Sequence, residues 1–438
     1  MDTYKFLLKH YKAIKEASIE LNGITVLAGE NGAGKSTITR WLYYLVEGIT
    51  RYEDFVYEDF YRDVYSILHD FRMILRDTRL MNEELVLLIN RWNKLSKTID
   101  YSSNEEVGQL ANEAIEIINR FGDYVNDNIK QKKGTLRVNM IRAMRYLDIE
   151  DIEDFDKRQF VKKYKSRVNA YYDDFVKKLK DRSVRFMFNY IRQHFDRTLK
   201  TPESIEFFEY GVPIVNKSAF GHLLGLRRAI YIDTPMAVGN GGIENQLWEN
   251  LSALLEKENN VDLDVSIRKM LMRIQHIIHG TIQFKDDVFE PSMRYLREDQ
   301  LLDIPLIEVA TGIKSFAYII RLLQNGYLDK NTLLIIDEPE AHLHPQWIVE
   351  YARILVLLEK EIGVRILIAS HNPDMVAAIQ SIGKKEGLDS SITFYQAYTS
   401  KVPYEYEYKN LGFEITEIFK SFNIALSRIE DYGTTNNK

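Results

Sequence analysis

The fold is decided by the sequence ITVLAGENGAGKST, which occupies residues 24–37. Its first five residues form a short apolar run rich in β-branched side chains, which predicts a buried strand ending before Gly29. The apolar residues after Ser36 recur at the 3.6-residue period of a helix, and Gly48 suits the end of that helix. The residues in between match GxxxxGK[ST], a pattern that cradles phosphate groups when it joins a strand to a helix. The sequence therefore predicts an α/β fold built around a phosphate-binding loop.

Each residue type in this loop has a physical role. Glycines let the backbone wrap closely, so that its N–H groups and the helix N-terminus point at the phosphates. We expect Lys35 to reach the β- and γ-phosphates of ATP, and the Ser36 hydroxyl to bind Mg²⁺. The alternative is a glycine-rich turn that binds nothing, and the position between a strand and a helix argues against it. The residues predicted to contact the nucleotide are Gly29, Asn31, Gly32, Ala33, Gly34, Lys35, Ser36 and Thr37.

A second buried strand is predicted at residues 333–336, and two acids follow it. Because ligands bind at the carboxyl edge of a parallel sheet, both acids are expected near the phosphates. Asp337 is predicted to hold Mg²⁺, and Glu338 to act as the general base that polarises the attacking water. An acidic strand end that merely caps a helix is the alternative interpretation.

A third apolar run, at residues 366–369, is followed by Ser370 and His371. We predict that His371 contacts the γ-phosphate and helps to position the attacking water. A single histidine is more often structural, so this prediction depends on the order in which the three motifs occur along the chain.

That order resembles the ABC-type ATPase heads, a group that includes the SMC and RecF-like proteins. The segment DEPEAHLHP at residues 337–345 is similar to the DEPExHLHP segment of the prokaryotic OLD/RecF-like branch of AAA ATPases. The resemblance covers about residues 1–50 and 205–420. It implies an ABC/SMC-like P-loop head, with an α/β fold, a mixed sheet and a large helical insertion. It also implies ATP hydrolysis with Mg²⁺, by a homodimer or larger homo-oligomer that ATP holds together.

In such heads a signature segment presents a helix N-terminus to the ATP bound by the other subunit. Here Thr311 and Gly312 occupy that position, and Lys314 follows on the next helix. The resemblance implies that these three residues bind the γ-phosphate in trans, and that Ala341–His344 touch the opposite subunit. An ordinary capped helix is the alternative interpretation. One departure concerns a glutamine that the group has after a middle strand, where this chain has Asp233-Thr234-Pro235 and Asp233 or Thr234 is the substitute.

The expected domain organisation is a head at residues 1–50 and 201–425, with a smaller helical insert at about 243–300. A helical insertion subdomain is expected at 51–200, and a tail at 426–438. The insertion is basic: Lys157 to Lys200 carries 14 Lys/Arg against four acids. Residues 130–200 are therefore a candidate nucleic-acid contact, with a solvated helix face as the alternative.

Composition narrows the class of protein further. The chain has 438 residues, a net charge of −6 and no cysteine, which excludes disulfides and thiolate metal sites. It contains neither a long apolar run nor the pattern of a signal peptide, so we expect a cytoplasmic protein without a membrane contact.

Three functional hypotheses follow from these observations. The first is an ATPase that senses, holds or releases a separate effector such as a nuclease or toxin, as in the prokaryotic anti-phage systems that the DEPExHLHP segment resembles (Septu, PARIS and retron-linked types). The second is an SMC- or RecF-like DNA-repair ATPase that grips DNA with its basic insertion, and the third is a transporter ATPase subunit. No nuclease domain is expected, because only 67 residues follow His371 and they carry no acidic cluster for two metals.

Overall fold

The computed structural model describes residues 4–77, 82–131, 144, 155–194, 197–198, 200–216, 218–233, 246–257, 259, 261–285, 292–341 and 343–420. The chain divides into two compact units. The first unit comprises Met1–Thr50 together with Val184–Lys438, and the second comprises Arg51–Ser183.

The strands found among the described residues all belong to the first unit. Their bounds are β1 (Tyr4–Tyr11), β2 (Ile14–Leu21), β3 (Ile24–Ala28), β4 (Ser204–Glu209), β5 (Val212–Val215), β6 (Arg228–Ile232), β7 (Gly280–Lys285), β8 (Ser292–Arg297), β9 (Asp303–Pro305), β10 (Thr332–Asp337), β11 (Arg365–Ser370), β12 (Ile392–Thr399) and β13 (Tyr406–Gly412). The main sheet has the order β5-β4-β1-β2-β13-β12-β3-β11-β10-β6, and a small sheet has the order β7-β8-β9.

The helices occur in both units. Their bounds are α1 (Lys35–Thr50), α2 (Tyr52–Asp77), α3 (Glu83–Leu95), α4 (Asn104–Gln131), α5 (Lys157–Asp181), α6 (Val184–His194), α7 (Gln246–Glu256), α8 (Val265–Ile278), α9 (Thr311–Gln324), α10 (Pro345–Ile362) and α11 (Pro373–Glu386). None of the helices in the described part of the chain is long and apolar enough to span a membrane.

The centre of the main sheet is parallel. Strands β6, β10, β11, β3 and β12 run in the same direction, and β1, β2 and β4 pair antiparallel at the other side. Every residue of β3 and β10 is buried, because helices cover both faces of a parallel sheet and no solvent-facing side remains. This arrangement confirms the predicted α/β fold with a mixed sheet.

The register of the parallel strands brings their carboxyl ends level with one another. Ala28 pairs with Ser370, and Asp337 pairs with Ala369. Residues that directly follow β3, β10 and β11 therefore meet at one edge of the sheet. The three motifs found in the sequence lie on these three strand ends.

Two helices that frame this edge have clear sequence signals at both ends. Helix α10 begins with Pro345 and is followed by its C-cap Gly363, whose φ of +81° is a left-handed conformation that glycine adopts without strain. Helix α11 is preceded by its N-cap Asn372, whose side chain accepts hydrogen bonds from the backbone N–H groups of Asp374 and Met375, and it is followed by Gly387 in the left-handed conformation.

The second unit is helical and has an aromatic core. The rings of Phe71 and Phe121 stack with centroids 4.1 Å apart, and Phe160 and Tyr164 pack on Phe71. Burying such rings supplies much of the apolar area that a small helical unit needs. Asp156 caps α5 by accepting hydrogen bonds from the first turn of that helix.

Two expected boundaries differ from the structure. The insertion was expected to reach residue 200, but the second unit ends at Ser183, and α6 belongs to the first unit. Helix α6 packs there through an apolar face, with the rings of Phe188 and Trp41 5.7 Å apart. The basic charge of the insertion continues past residue 183, but charge does not indicate which side chains are buried.

The insert expected to be helical at about 243–300 contains α7 and α8 but also the strands β7 and β8. The expected tail at 426–438 lies outside the described residues, as do residues 132–143 and 145–154 of the predicted nucleic-acid contact at 130–200.

We predict that Phe316 is a main source of stability where α9 packs on α10. Phe316 is fully buried, and its ring makes T-shaped contacts with Trp347 at 5.6 Å and Tyr351 at 5.1 Å. Phe316→Ala should lower the free energy of unfolding by about 3–5 kcal/mol, because it leaves a cavity. Val349→Ala is the control, since Val349 lies on α10 with 45% of its surface exposed and should change stability by about 0.5 kcal/mol or less. Chemical denaturation tests this, and equal losses in the two variants would contradict the packing described here.

Candidate active site

The loop at Gly29–Thr37 joins β3 to α1, as the sequence predicts. Gly32 and Gly34 have φ angles of +84° and +90°, a region that residues with a Cβ atom rarely occupy. A Cβ atom on Gly34 would also lie 2.8 Å from Cγ1 of Ile14. These two glycines therefore let the loop take its wrapped shape.

Neighbouring strands hold the loop in place. The Tyr408 hydroxyl of β13 donates a buried hydrogen bond of 3.1 Å to the carbonyl oxygen of Ala33, which is itself fully buried. On β12, Ala397 lies so close to Gly29 that a Cβ atom there would approach its side chain to 2.8 Å. Packing thus fixes the shape of the loop before any ligand binds. This reduces the conformational entropy that the loop loses on binding.

Lys35 lies inside the loop and is 5% exposed. Its ammonium donates hydrogen bonds to the carbonyl oxygens of Gly29 and Glu30, at 2.9 and 3.0 Å. Burial lowers the pKa of Lys35, and the nearby carboxylates of Glu338 and Asp337 oppose that shift. Phosphate oxygens can replace the two carbonyl acceptors, so the loop presents a positive charge where the predicted phosphates bind.

Asp337 is buried at the end of β10 and is 6% exposed. One carboxylate oxygen accepts a 2.9 Å hydrogen bond from the Tyr231 hydroxyl, whereas Oδ1 is buried without a hydrogen-bond partner. Burial raises the pKa of Asp337, and the hydroxyls of Ser36 and Tyr231 oppose the shift. An unpaired carboxylate oxygen beside a serine hydroxyl is an oxygen donor set that fits Mg²⁺, whose remaining ligands are water and substrate phosphate. The predicted magnesium ligands Ser36 and Asp337 are therefore close together.

Tyr231 on β6 is a site residue that sequence reasoning missed. Its buried hydroxyl lies 3.4 Å from the Thr39 hydroxyl of α1 and donates to Asp337. A tyrosine in an apolar strand gives no signal that distinguishes it from a core residue.

Asp233 was proposed as a substitute for the missing glutamine. In the structure it accepts a 2.8 Å hydrogen bond from the indole N–H of Trp248, and burial raises its pKa. Thr234, the other residue proposed to replace the glutamine, lies outside the described residues.

Glu338 and His371 are brought together at the sheet edge. Glu338 has a φ of +53°, a left-handed conformation that costs a non-glycine residue about 1–3 kcal/mol, and its N–H donates to the carbonyl oxygen of Ala369 at 2.8 Å. Its side chain is 43% exposed, and Oε1 lies 3.4 Å from Nδ1 of His371. The strained turn directs a solvent-accessible carboxylate to the edge where the phosphates are predicted.

Glu340 is a second residue that sequence reasoning did not assign. Its carboxylate is 5% exposed and accepts hydrogen bonds from the Ser370 hydroxyl at 2.9 Å and from the N–H of His371 at 3.1 Å. Burial raises the pKa of Glu340, and its hydrogen bonds and the nearby His371 oppose the shift. The acid in the pattern DEPE was the available signal, but its spacing alone does not show which strand it contacts.

The predicted signature residues lie at the start of α9. Thr311 is the first residue of the helix and is half-buried, and no side chain caps the helix at Ala310. Gly312 is packed so closely that a Cβ atom would lie 2.9 Å from the Trp347 ring. This leaves the first backbone N–H groups of α9 as the donors that a ligand can use.

Lys314 does not fit the role predicted for it. It is 4% exposed, and its ammonium donates a 2.7 Å hydrogen bond to the carbonyl oxygen of Ile307. Burial lowers its pKa. The Lys314 charge therefore stabilises the chain just before α9, and the side chain is not available to a second subunit.

Ala341–His344, the segment predicted to touch another subunit, leads into α10. His344 caps that helix by accepting a 3.4 Å hydrogen bond from the N–H of Gln346. His342 lies outside the described residues.

Two solved structures are distantly similar to this chain. The SMC head domain from Thermotoga maritima is 9% identical, with a TM-score of 0.36, and the alignment covers 94% of this chain and 99% of that one. An ATP-binding cassette of an ABC transporter in its ADP conformation is 10% identical with a TM-score of 0.35, covering 96% and 98% of the two chains.

Two curated relatives come from Clostridium perfringens. A "Putative ABC transporter ATP-binding protein" from strain 13 is 28% identical over 172 residues, and an energy-coupling factor transporter ATP-binding protein from strain SM101 is 29% identical over 174 residues. Each match covers 33% of this chain, which spans 60% of the length of each relative.

The family described as "AAA domain, putative AbiEii toxin, Type IV TA system" matches residues 147–377. This range includes Thr311, Asp337, Glu338 and His371, and the loop at Gly29–Thr37 precedes it. Because the match covers more than half of the chain, the protein belongs to this AAA-domain family of P-loop ATPases.

Proposed function

We propose that the protein is a Mg²⁺-dependent ATPase that works as an ATP-driven dimerisation switch and controls a separate effector protein in prokaryotic anti-phage defence. The observation that carries the proposal is the convergence of three strand ends: β3, β10 and β11 bring Lys35, Glu338 and His371 to one edge of the sheet.

Binding is the first step of this mechanism. The loop amides and Lys35 bind the β- and γ-phosphates, and Lys35 exchanges its two carbonyl acceptors for phosphate oxygens. Ser36 and Asp337 would hold Mg²⁺, which neutralises charge that develops on the phosphates.

Hydrolysis is assigned to Glu338 and His371. The Glu338 carboxylate is accessible to solvent, so it can accept the proton of a water molecule that attacks the γ-phosphate. His371 lies beside Glu338 and orients the water or the γ-phosphate. The left-handed backbone of Glu338 supports this role, since strained residues cluster at sites where a side chain must be held in one place.

Dimerisation would complete the site. We assign Thr311 and Gly312 of the partner copy to the γ-phosphate, through the amides at the start of α9. Two copies sandwich the nucleotide between these amides and the phosphate loop. Loss of the γ-phosphate removes contacts from both copies, so hydrolysis loosens the dimer and can change what is bound to it.

The proposed control of an effector is supported by the matching family and by a sequence resemblance, not by the geometry of the site. The family description names a toxin and a type IV toxin–antitoxin system, which supports a role for this ATPase alongside a toxin or nuclease. The resemblance of residues 337–345 to anti-phage ATPases points in the same direction.

DNA binding is the second candidate function, and the surface of α5 favours it. Arg158, Lys162 and Lys165 are exposed at helical spacing, and none of the three has a carboxylate partner among the described residues. Unpaired cations along a helix attract the phosphates of a nucleic acid. The third candidate, a transporter ATPase subunit, is favoured only by the names of the two curated relatives.

Glu338→Gln tests the proposed ATPase. The amide cannot accept the proton from water, so we expect kcat for phosphate release to fall by roughly 10²–10⁴, while titration with ATP shows that binding persists. Glu350→Gln makes the same chemical change on α10 and should leave kcat unchanged. Normal turnover in Glu338→Gln would remove Glu338 from its role.

The DNA-binding candidate is tested by charge reversal on α5. If it is correct, the wild type binds double-stranded DNA with an affinity that falls steeply as salt rises, and a Lys162→Glu, Lys165→Glu double variant loses that binding. A Lys384→Glu, Lys385→Glu double variant on α11 has the same net charge and should bind like the wild type. Equal binding by both double variants would exclude α5 as the DNA contact.

A further inference from the structure

Glu340, Ser370 and His371 form a polar cluster between the ends of β10 and β11. The Ser370 hydroxyl and the backbone N–H of His371 both donate to Oε1 of Glu340, at 2.9 and 3.1 Å. The N–H of Asn372 donates to the Ser370 hydroxyl at 3.1 Å, and Asn372 caps α11. The Glu340 carboxylate is therefore tied to the strand end that carries His371.

Two polar atoms of this cluster are buried without a hydrogen-bond partner. One is Oε2 of Glu340, and the other is Nδ1 of His371. A carboxylate has only acceptors, whereas Nδ1 can carry a proton and donate. Leaving such an atom unpaired in a buried site costs about 1–3 kcal/mol, so a hydrogen bond from Nδ1 to the Glu340 carboxylate would relieve the cost at Nδ1.

The distances place His371 between two carboxylates. Nδ1 lies 3.4 Å from Oε1 of Glu338 and 3.4 Å from Oε1 of Glu340. A shortening of about 0.5 Å would give an ordinary hydrogen bond to either of them. Nδ1 has one proton at most, so it can bond to one carboxylate strongly and not to both.

Solvent exposure decides which carboxylate accepts the hydrogen bond from Nδ1 of His371. The Glu338 side chain is 43% exposed, so water can satisfy its oxygens, whereas the Glu340 side chain is 5% exposed. A buried carboxylate that lacks water gains more from a donor than an exposed one does.

We propose that Glu340 is a positioning residue that accepts the Nδ1 hydrogen of His371 and so leaves the Glu338 carboxylate free to bind the attacking water. Without Glu340, His371 turns to Glu338 and occupies the acceptor that the water needs. The catalytic consequence rests on the proposed ATPase function, whereas the hydrogen bond itself does not.

A double-mutant cycle tests the catalytic consequence. Glu340→Gln should lower kcat about tenfold or more with little change in KM for ATP, as supporting residues of a reactive group do. In a His371→Ala background the same substitution should cause no further loss, because Glu340 acts through His371. Additive losses, or a loss confined to KM, would overturn the proposal. Glu47→Gln is the matched control, since Glu47 is a buried carboxylate at 6% exposure on α1 that accepts a hydrogen bond from the N–H of Ala229.

The hydrogen bond can be observed without turnover. In protein labelled with ¹⁵N-histidine, the ring signals of His371, assigned by their loss in His371→Ala, should show a protonated Nδ1 and should shift in Glu340→Gln. Unchanged ring signals would overturn the proposal. A wild type that binds ATP without hydrolysing it would instead contradict the proposed function and leave this result standing. If Glu340→Gln does not fold, Ser370→Ala removes one bond to Glu340 and should shift the same signals in the same direction.

Discussion

The parallel pairing of β3, β11 and β10 is the constraint on which the rest of the structure depends. Its register sets Ala28 beside Ser370 and Asp337 beside Ala369, so three segments far apart in the chain end at one edge. A one-residue slip of any strand would turn its side chains to the opposite face and separate the groups that follow. The burial of these strands holds the register, and it therefore also holds the site.

The site brings together charged side chains whose burial would be costly elsewhere in the fold. The carboxylates of Glu338, Asp337 and Glu340 all act on Lys35, and burial raises the pKa of both Asp337 and Glu340. Groups buried in this way favour a ligand that supplies what they lack. In the proposed function, phosphate oxygens are the acceptors for Lys35 and Mg²⁺ is the cation for Asp337. The left-handed backbone at Glu338 adds strain at the same place. This strain lowers the stability of the fold, and it holds the side chains in a single geometry that suits a charged ligand.

The sequence predicted the parts of this arrangement that depend on local pattern. The strand, loop and helix around Lys35 and the acidic end of β10 follow from short-range signals, and the structure brings them together as expected. Predictions that depended on long-range packing were less successful. Lys314 was predicted to bind the γ-phosphate in trans, but its ammonium is buried and donates to the carbonyl oxygen of Ile307. The contacts of Tyr231 and Glu340 become evident only when the neighbouring strands are placed beside them. Burial and cross-strand contacts, which no spacing rule records, decide those cases.

Mixing two inactive variants tests whether each nucleotide is bound by two copies of the chain, as the proposed dimerisation switch requires. Lys35→Ala should disable the phosphate loop, and Thr311→Glu should place a negative charge where the partner's γ-phosphate binds. Each variant alone should be inactive in ATP hydrolysis. A mixture of the two should regain turnover, because a mixed dimer has one site with an intact loop and an intact α9 from the other copy. A mixture that remains inactive, although the two variants associate, would contradict the shared site.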